Sequence, residues 1–100
     1  MARVRNFVVR NKVWIWPIGN SPWHFIYVDD KVKEDIIKAA TPHHMGMIRV
    51  RATIGETSWE TSLLPHKRED CFLLAIKKSI RQKEGIYAGD AVDVTLELVV

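Results

Sequence analysis

This chain has few of the residues that build disulfides, and it lacks the runs that mark membrane segments. Its 100 residues include one cysteine, Cys71, so no intramolecular disulfide can form. No run approaches the roughly 20 apolar residues of a membrane span, and the first residues lack the apolar core of a signal peptide. These absences predict a soluble, cytoplasmic protein in which Cys71 is an ordinary buried thiol.

Motifs for catalysis and cofactor binding are also missing. The chain has no glycine-rich phosphate loop, no nucleophile elbow and no serine–histidine–aspartate order. Two of its four histidines, His43 and His44, are adjacent, but no cysteine or carboxylate group stands near them at ligand spacing. We therefore expect no metal site, no cofactor and no catalytic residues. The enzyme alternative would have to use His24, Arg49, Arg51 and Ser62.

Negative charge is absent from the beginning of the chain. The first four charged residues are all basic: Arg3, Arg5, Arg10 and Lys12. The net charge is +3, but once these four of the 15 basic residues are set aside, 11 basic and 12 acidic residues remain, a net charge of −1. We therefore divide the chain into a basic arm, residues 1–12, which can be flexible, and a single domain, residues 13–100.

The second half of the chain carries clear strand signals. Residues 47–54 and 57–64 alternate between two faces, as half-buried strands do. Gly55 lies between them and supplies the positive φ of a tight hairpin turn. Pro65 is predicted to stop the pairing because it has no N–H to donate, and residues 66–70 are predicted to form a charged loop.

A strand–helix–strand unit follows the hairpin, and the first half of the chain resembles a weaker copy of it. Residues 71–74 are a short apolar strand, residues 76–84 a helix that Gly85 caps, and residues 92–99 a strand after the Gly89-Asp90 turn. The copy has a strand at residues 23–28, a helix capped by Asp29 or Asp30 with Val32, Ile36 and Ala39 on one face, a loop over residues 40–46 and the strand at residue 47. This indicates a pseudo-repeat of residues 23–54 and 71–98, with two unrelated units as the alternative.

Short motifs in a fixed order give a family resemblance. They are VWIWP at residues 13–17, WHF at 23–25, VRATIG at 50–55, WETSL at 59–63, KKSIR at 77–81, GI at 85–86 and GD at 89–90. This set resembles the bacterial domain of unknown function DUF1905 over roughly residues 11–99. The resemblance implies a mainly β fold: a double-split β-barrel with two short helices and a pseudo-twofold strand–helix–strand repeat. Asp29 and Ala75 depart from the family pattern, which commonly has proline at these two junctions.

A second, narrower resemblance suggests a different function. Residues 74–81, with residues 89–92 after them, are similar to the transition-state-regulator and antitoxin barrels, which are DNA-binding dimers. Fold similarity alone does not transfer a function, and a nucleic-acid-binding domain is expected to have a basic stripe on its folded surface. A DNA-binding dimer is therefore kept as an alternative, with nucleic acid a less favoured partner.

Two groups of basic residues are candidates for binding an anion. On the predicted second helix, Lys77, Lys78 and Arg81 lie together, away from the apolar face. They would bind phosphate or another anion, or form a solvated face that stabilises the helix. On strand 47–54, Arg49 and Arg51 share a face, where they would clamp a carboxylate at the barrel mouth or pair outside with Glu60 across the hairpin.

Tryptophan is abundant, with four residues in 100. Trp14, Trp16 and Trp23 would form the floor of a ligand pocket or pack in the core, whereas Trp59 is assigned to the core. Together these observations predict a non-catalytic binding or interaction module, either a monomer or a homodimer. Its partner would be a protein of unknown identity or a small anionic ligand, and not a membrane.

Overall fold

The computed structural model describes residues 6–18, 21–28, 30–39, 47–66 and 71–99. Within these ranges the chain forms seven strands and two helices, in the order β1 (Asn6–Lys12), β2 (Trp14–Ile18), β3 (Ser21–Val28), α1 (Asp30–Ala39), β4 (Ile48–Ile54), β5 (Thr57–His66), β6 (Cys71–Ala75), α2 (Lys78–Glu84) and β7 (Ala91–Leu98). Neither of these helices has the length and apolar character needed to cross a bilayer.

One curled antiparallel sheet contains all seven described strands, in the order β1-β7-β4-β5-β6-β3-β2. The two outermost strands, β1 and β2, are neighbours in sequence, and only Val13 lies between them. The N–H of Val13 donates to the carbonyl of Asp90 at 2.9 Å, and its carbonyl accepts from the N–H of Gly89. The segment therefore connects both edges of the sheet and curls it into a half-barrel. The predicted mainly β, barrel-like fold with two short helices is confirmed.

The predicted pseudo-twofold repeat is also present. The two units are β3–α1–β4 and β6–α2–β7, and their equivalent strands pair with each other. The first strands, β3 and β6, pair with Ile26 opposite Leu74, and the last strands, β4 and β7, pair with Ala52 opposite Leu96. A bent strand precedes each unit. Residues 6–18 pair first with β7 and then with β3, and β5 pairs first with β4 and then with β6. The same pattern of pairing thus occurs twice.

The core lies on the concave side of the sheet, and its composition follows from the period of two along the strands. Strand β4 buries Ile48, Val50, Ala52 and Ile54, and β7 buries Val92, Val94, Leu96 and Leu98. Ile36 of α1 and Ile80 of α2 pack against this layer. Ala39, which was expected to share the buried face of α1, is exposed, and Asp29 lies outside the described residues. Trp59 is in the core, as predicted.

Strand β5 is longer than expected: its pairing with β4 ends before Pro65, as predicted, but the strand continues through Pro65 and pairs with β6. Pro65 lies in the strand opposite Phe72, and His66 lies opposite Cys71. Among the described residues, β4 pairs with β5 only as far as Leu63, so from Leu64 onward one edge of β5 has no paired strand. Proline is tolerated at such an open edge because no ladder bond there needs its N–H. Apart from His66, the predicted loops over residues 40–46 and 66–70 lie outside the described residues.

Helix α2 begins at Lys78, two residues later than predicted. The reason is that the N–H of Ile76 donates to the carbonyl of His24 at 2.9 Å, which continues the pairing of β6 with β3. Lys77 is also extended, with ψ of 153°. The helix ends as predicted, at Gly85 in the left-handed conformation with φ of 65°.

Residues assigned to a basic arm form part of the sheet. Strand β1 begins at Asn6 and pairs with β7 along its length, so the division at residue 12 falls inside the bent strand. Arg10 donates from Nη1 to both carboxylate oxygens of Asp93, at 2.8 and 2.9 Å. Arg3 and Arg5 lie outside the described residues.

The hairpin turn at Gly55 supports a prediction about stability. Gly55 has φ of 58°, and a Cβ on it would overlap Oε1 of Glu84, whose Oε2 accepts a 2.6 Å hydrogen bond from Thr57 Oγ1. We expect Gly55→Ala to lower the free energy of unfolding by about 1–3 kcal/mol, because the backbone is strained and the Thr57–Glu84 bond is displaced. Urea denaturation measures this change.

Gly85→Ala is the matched control for the backbone term. Gly85 also has a positive φ of 65°, but a Cβ there would meet nothing within 4 Å. We expect the Gly55 variant to lose more stability than the Gly85 variant. If the two variants lose equal amounts of unfolding free energy, the overlap with Glu84 does not contribute to the loss.

Candidate functional site

The convex side of the sheet carries a cluster of aromatic rings, which we call the aromatic face. Its six members are Trp14, Trp16, Trp23, Phe25, Tyr27 and His66. Strand β3 alternates, so that Ile26 and Val28 point into the core while the rings of this strand lie on the opposite side. The rings are in mutual contact, with centroids 4.9 Å apart for Trp14 and Tyr27 and 5.8 Å apart for Trp23 and Phe25.

Two rings of the aromatic face are open to solvent. Trp16 is 42% exposed and Trp23 is 46% exposed, and the two are cross-strand partners in the pairing of β2 with β3. Trp14 is half-buried. Core packing, one of the two predictions for these three tryptophans, is wrong, because none of them belongs to the barrel core. Exposed aromatic clusters of this kind mark binding surfaces more often than chance placement does.

A pocket of about 190 Å³ opens beside Trp23, and we call it the cationic pocket. It is formed where the beginning of β3, the end of β6 and the first residues of α2 meet. The Ile76–His24 backbone bond holds these segments together. Its lining residues are Pro22, Trp23, His24, Ala75, Ile76, Lys77, Lys78 and Arg81, and none of these is acidic. The pocket therefore brings together four of the predicted binding residues: Trp23, Lys77, Lys78 and Arg81.

Arg81 is held at the pocket by two contacts. Its Nε donates to the carbonyl of Ile76 at 3.3 Å, and its Nη1 lies 3.3 Å from Nε2 of His24. No hydrogen bond or salt bridge joins Arg81 Nη2 or the ammonium groups of Lys77 and Lys78 to another described residue. The guanidinium is thus oriented in advance, while part of its capacity to donate remains available.

His24 is the buried polar residue of the site. Only 9% of it is exposed. Burial, and then the positive charge of Arg81, lowers the pKa of His24 below its ordinary value of 6.5. The backbone of Pro22 opposes this shift more weakly, and the contact falls short of a hydrogen bond, since Nδ1 has no bonded partner among the described residues. The neutral imidazole therefore accepts from Arg81 at Nε2 and carries its proton at Nδ1, which is buried.

The lowered pKa of His24 predicts a loss of stability in acid. Below about pH 6.5 the unfolded chain binds a proton at His24 that the folded protein does not, so the free energy of unfolding falls as the pH drops toward the folded pKa. We expect the His24→Gln variant to lack this component. Urea denaturation of both proteins between about pH 5 and 8 measures it. Identical pH profiles for the two proteins would contradict the prediction.

Arg49 and Arg51 do not reach the cationic pocket. Both lie on the exposed side of β4, because Ile48, Val50 and Ala52 take the buried side. Arg49 donates to Ser62 Oγ at 3.3 Å and lies 3.6 Å from Oε1 of Glu60, which confirms the expected cross-strand pairing for this arginine. The alternative prediction, in which Arg49 and Arg51 line the barrel mouth, is wrong. Among the described residues no contact joins this pair to His24, so the residues of the enzyme alternative do not form one cluster.

A larger groove of about 860 Å³ lies between β1 and α1. The two charged residues of its described lining, Asp35 and Lys38, are of opposite sign, and Lys38 is exposed. Neighbouring residues 1–5 and 40–46 lie outside the described ranges. The cationic pocket is the better candidate, because its charges have one sign and a buried histidine lies among them.

Sequence reasoning missed part of this site. The sequence patterns place His24 only in the catalytic alternative, and they do not predict Phe25, Tyr27 or His66 as binding residues. A signal existed in residues 23–27, where three aromatic side chains alternate with His24 and Ile26. It predicts a strand with an aromatic side, but not which side faces solvent.

The curled seven-stranded sheet and its repeat define a small barrel-like domain. A family model described as "Domain of unknown function (DUF1905)" matches residues 10–96. The chain belongs to the DUF1905 family, as its ordered motifs predicted, and it is an uncharacterised small domain of that family. None of the curated proteins matches it.

Proposed function

We propose that this protein is a non-catalytic binding module, and that its cationic pocket holds an anionic group of the ligand. One observation carries the proposal. Arg81 is fixed by Ile76 and His24, yet its Nη2 and the two neighbouring lysines have no carboxylate partner among the described residues. Charges arranged for structural pairing are normally matched by acidic groups, as Arg10 is by Asp93.

The chemistry of the pocket suits an oxyanion. A half-buried guanidinium with a fixed orientation loses little entropy when it donates to an anion, and such charge-assisted bonds are the stronger class of hydrogen bond. His24 contributes by orienting the guanidinium, because its Nε2 accepts from Arg81. The exposed ammonium groups of Lys77 and Lys78 add long-range attraction, which salt weakens.

Titration of the full chain with sodium sulfate and sodium phosphate, followed by backbone and imidazole NMR at constant ionic strength, tests the proposal. We expect saturable shifts confined to residues 22–24 and 75–81. Sulfate affinity should rise as the pH falls toward the folded pKa of His24, which lies below 6.5, because a bound anion favours protonated His24. Shifts that do not saturate, or that spread over the surface without centring on Arg81, would reject the pocket as a binding site.

The DNA-binding dimer has less support from the described surface. It relied on a free basic arm, but Arg10 is engaged with Asp93 and Lys12 lies in the same paired strand. A cytoplasmic location is part of the proposal and is supported by the single cysteine, which excludes an intramolecular disulfide.

A further inference from the structure

We infer that the ligand is a nucleoside phosphate, with its phosphate in the cationic pocket and its base stacked on Trp23. This inference rests on the proposed function and specifies the ligand of the same site. It combines two features: a group of positive charges with no acidic neighbour among the described lining residues, and Trp23, which lines the pocket and whose exposed ring is part of the aromatic face.

The number of charges favours phosphate over a single carboxylate. Lys77, Lys78 and Arg81 bring three positive charges to a pocket of about 190 Å³. A carboxylate has one negative charge and two acceptor oxygens, whereas a terminal phosphate near neutral pH has close to two charges and three such oxygens. Phosphate therefore balances the pocket better in both charge and hydrogen bonds.

Trp23 provides the surface for a planar ring. Phe25 lies beneath it in a stacked arrangement, with an interplanar angle of 18°, so the indole is supported on the sheet. A pocket of this volume holds the phosphate and part of the sugar, which leaves the base outside, beside the indole. Bases of every kind stack on exposed aromatic side chains, and one such contact commonly contributes about tenfold or more to affinity.

Trp16 extends the platform by one position. It is the cross-strand partner of Trp23, and neighbouring strands are about 4.8 Å apart. Because Trp16 is also exposed, a second base joined to the first by a phosphodiester has a ring to contact. The same chemistry therefore fits a free nucleotide or the end of a single nucleic-acid strand. Replacing Trp16 distinguishes these two ligands, because only the strand has a second base to contact it.

The test compares four probes on the full chain: adenosine 5′-monophosphate, ribose 5-phosphate, adenosine, and a ten-residue single-stranded oligonucleotide with a 5′-phosphate. We expect the mononucleotide to bind about tenfold or more tightly than ribose 5-phosphate and adenosine. Trp23→Ala should remove the advantage of the mononucleotide over ribose 5-phosphate, and it should weaken the mononucleotide more than it weakens ribose 5-phosphate. Trp23→Phe should keep part of that advantage, and it remains informative if the alanine variant folds poorly.

The outcomes separate this inference from the proposed function. Equal affinity for the mononucleotide and ribose 5-phosphate overturns the base-stacking inference and leaves an anion-binding pocket. Absence of binding by every phosphate probe overturns both. An oligonucleotide that binds more tightly than the mononucleotide, with a gain that Trp16→Ala removes, supports the inference with a single strand as the source. Equal affinity of these two supports it with a free nucleotide as the source.

Discussion

Replacing Arg81 with glutamine is expected to weaken anion binding by about 10- to 100-fold, the largest functional effect of any single substitution in the pocket. The range corresponds to the loss of a hydrogen bond to a charged group. Arg81 is the cation of the pocket that is both half-buried and oriented by neighbours. The measurement is a sulfate or phosphate titration followed by NMR.

Two further variants make the Arg81 prediction specific. Lys83→Gln removes one positive charge from the same helix at an exposed residue outside the pocket lining, so it should reduce affinity only slightly. Arg81→Lys keeps the charge but loses the planar fork, so it should fall between glutamine and arginine. If Lys83→Gln weakens binding as much as Arg81→Gln does, general electrostatics explain the affinity and a defined site does not.

The Arg81→Gln variant should also change the pKa of His24. Since the positive charge of Arg81 contributes to the lowered pKa of His24, its removal should move that pKa upward toward the ordinary value. An NMR titration of the imidazole reports this shift without any ligand. An unchanged pKa would mean that burial alone sets the protonation of His24.

Replacing Ile26 with alanine is expected to cost about 2–5 kcal/mol of unfolding free energy, the largest stability effect that we predict. Ile26 is fully buried and lies opposite Leu74, at the pairing of β3 with β6 where the two repeats meet. Truncation leaves a cavity that strands from both repeats would have to fill. A typical domain has only about 5–15 kcal/mol of stability, so the midpoint of urea denaturation should fall markedly.

Ile37→Ala is the matched control. It deletes the same atoms from a side chain that is 44% exposed on α1, so its cost should be within about 0.5 kcal/mol. Equal losses for the two variants would show that the pairing of β3 with β6 is not a central part of the core. A change in the denaturant slope of Ile26→Ala would instead indicate that the repeats unfold separately.

Local signals predicted the elements that depend on local chemistry. The alternation over residues 47–64, the glycine in the hairpin turn and the glycine after α2 each determine backbone conformation within a few residues. They correctly indicated β4, β5, the end of α2 and β7. Where a distant partner was needed, local signals failed. The beginning of α2 depends on a bond from Ile76 to His24. Pro65 is tolerated because, among the described strands, β4 does not extend along β5 beyond Leu63.

The candidate site was likewise predictable only where local signals were sufficient. Lys77, Lys78 and Arg81 were grouped by helical spacing, and the tryptophans by composition, but nothing local joins His24 to Arg81, which is 57 residues away. The side of each strand that faces the core is likewise not a local property. In β4 the apolar residues face inward and the arginines outward, whereas β3 has apolar side chains on both sides.

Backbone preferences, periodicity and ordered motifs are properties of short segments, so the types of element, the repeat and the family could be predicted without a structure. Three features could not. Residues 6–18 join both edges of the sheet, the aromatic side of β3 faces outward, and the beginning of α2 forms a pocket with β3. Each of these depends on strand pairing and burial, which involve the whole chain because all elements remove apolar surface from water together.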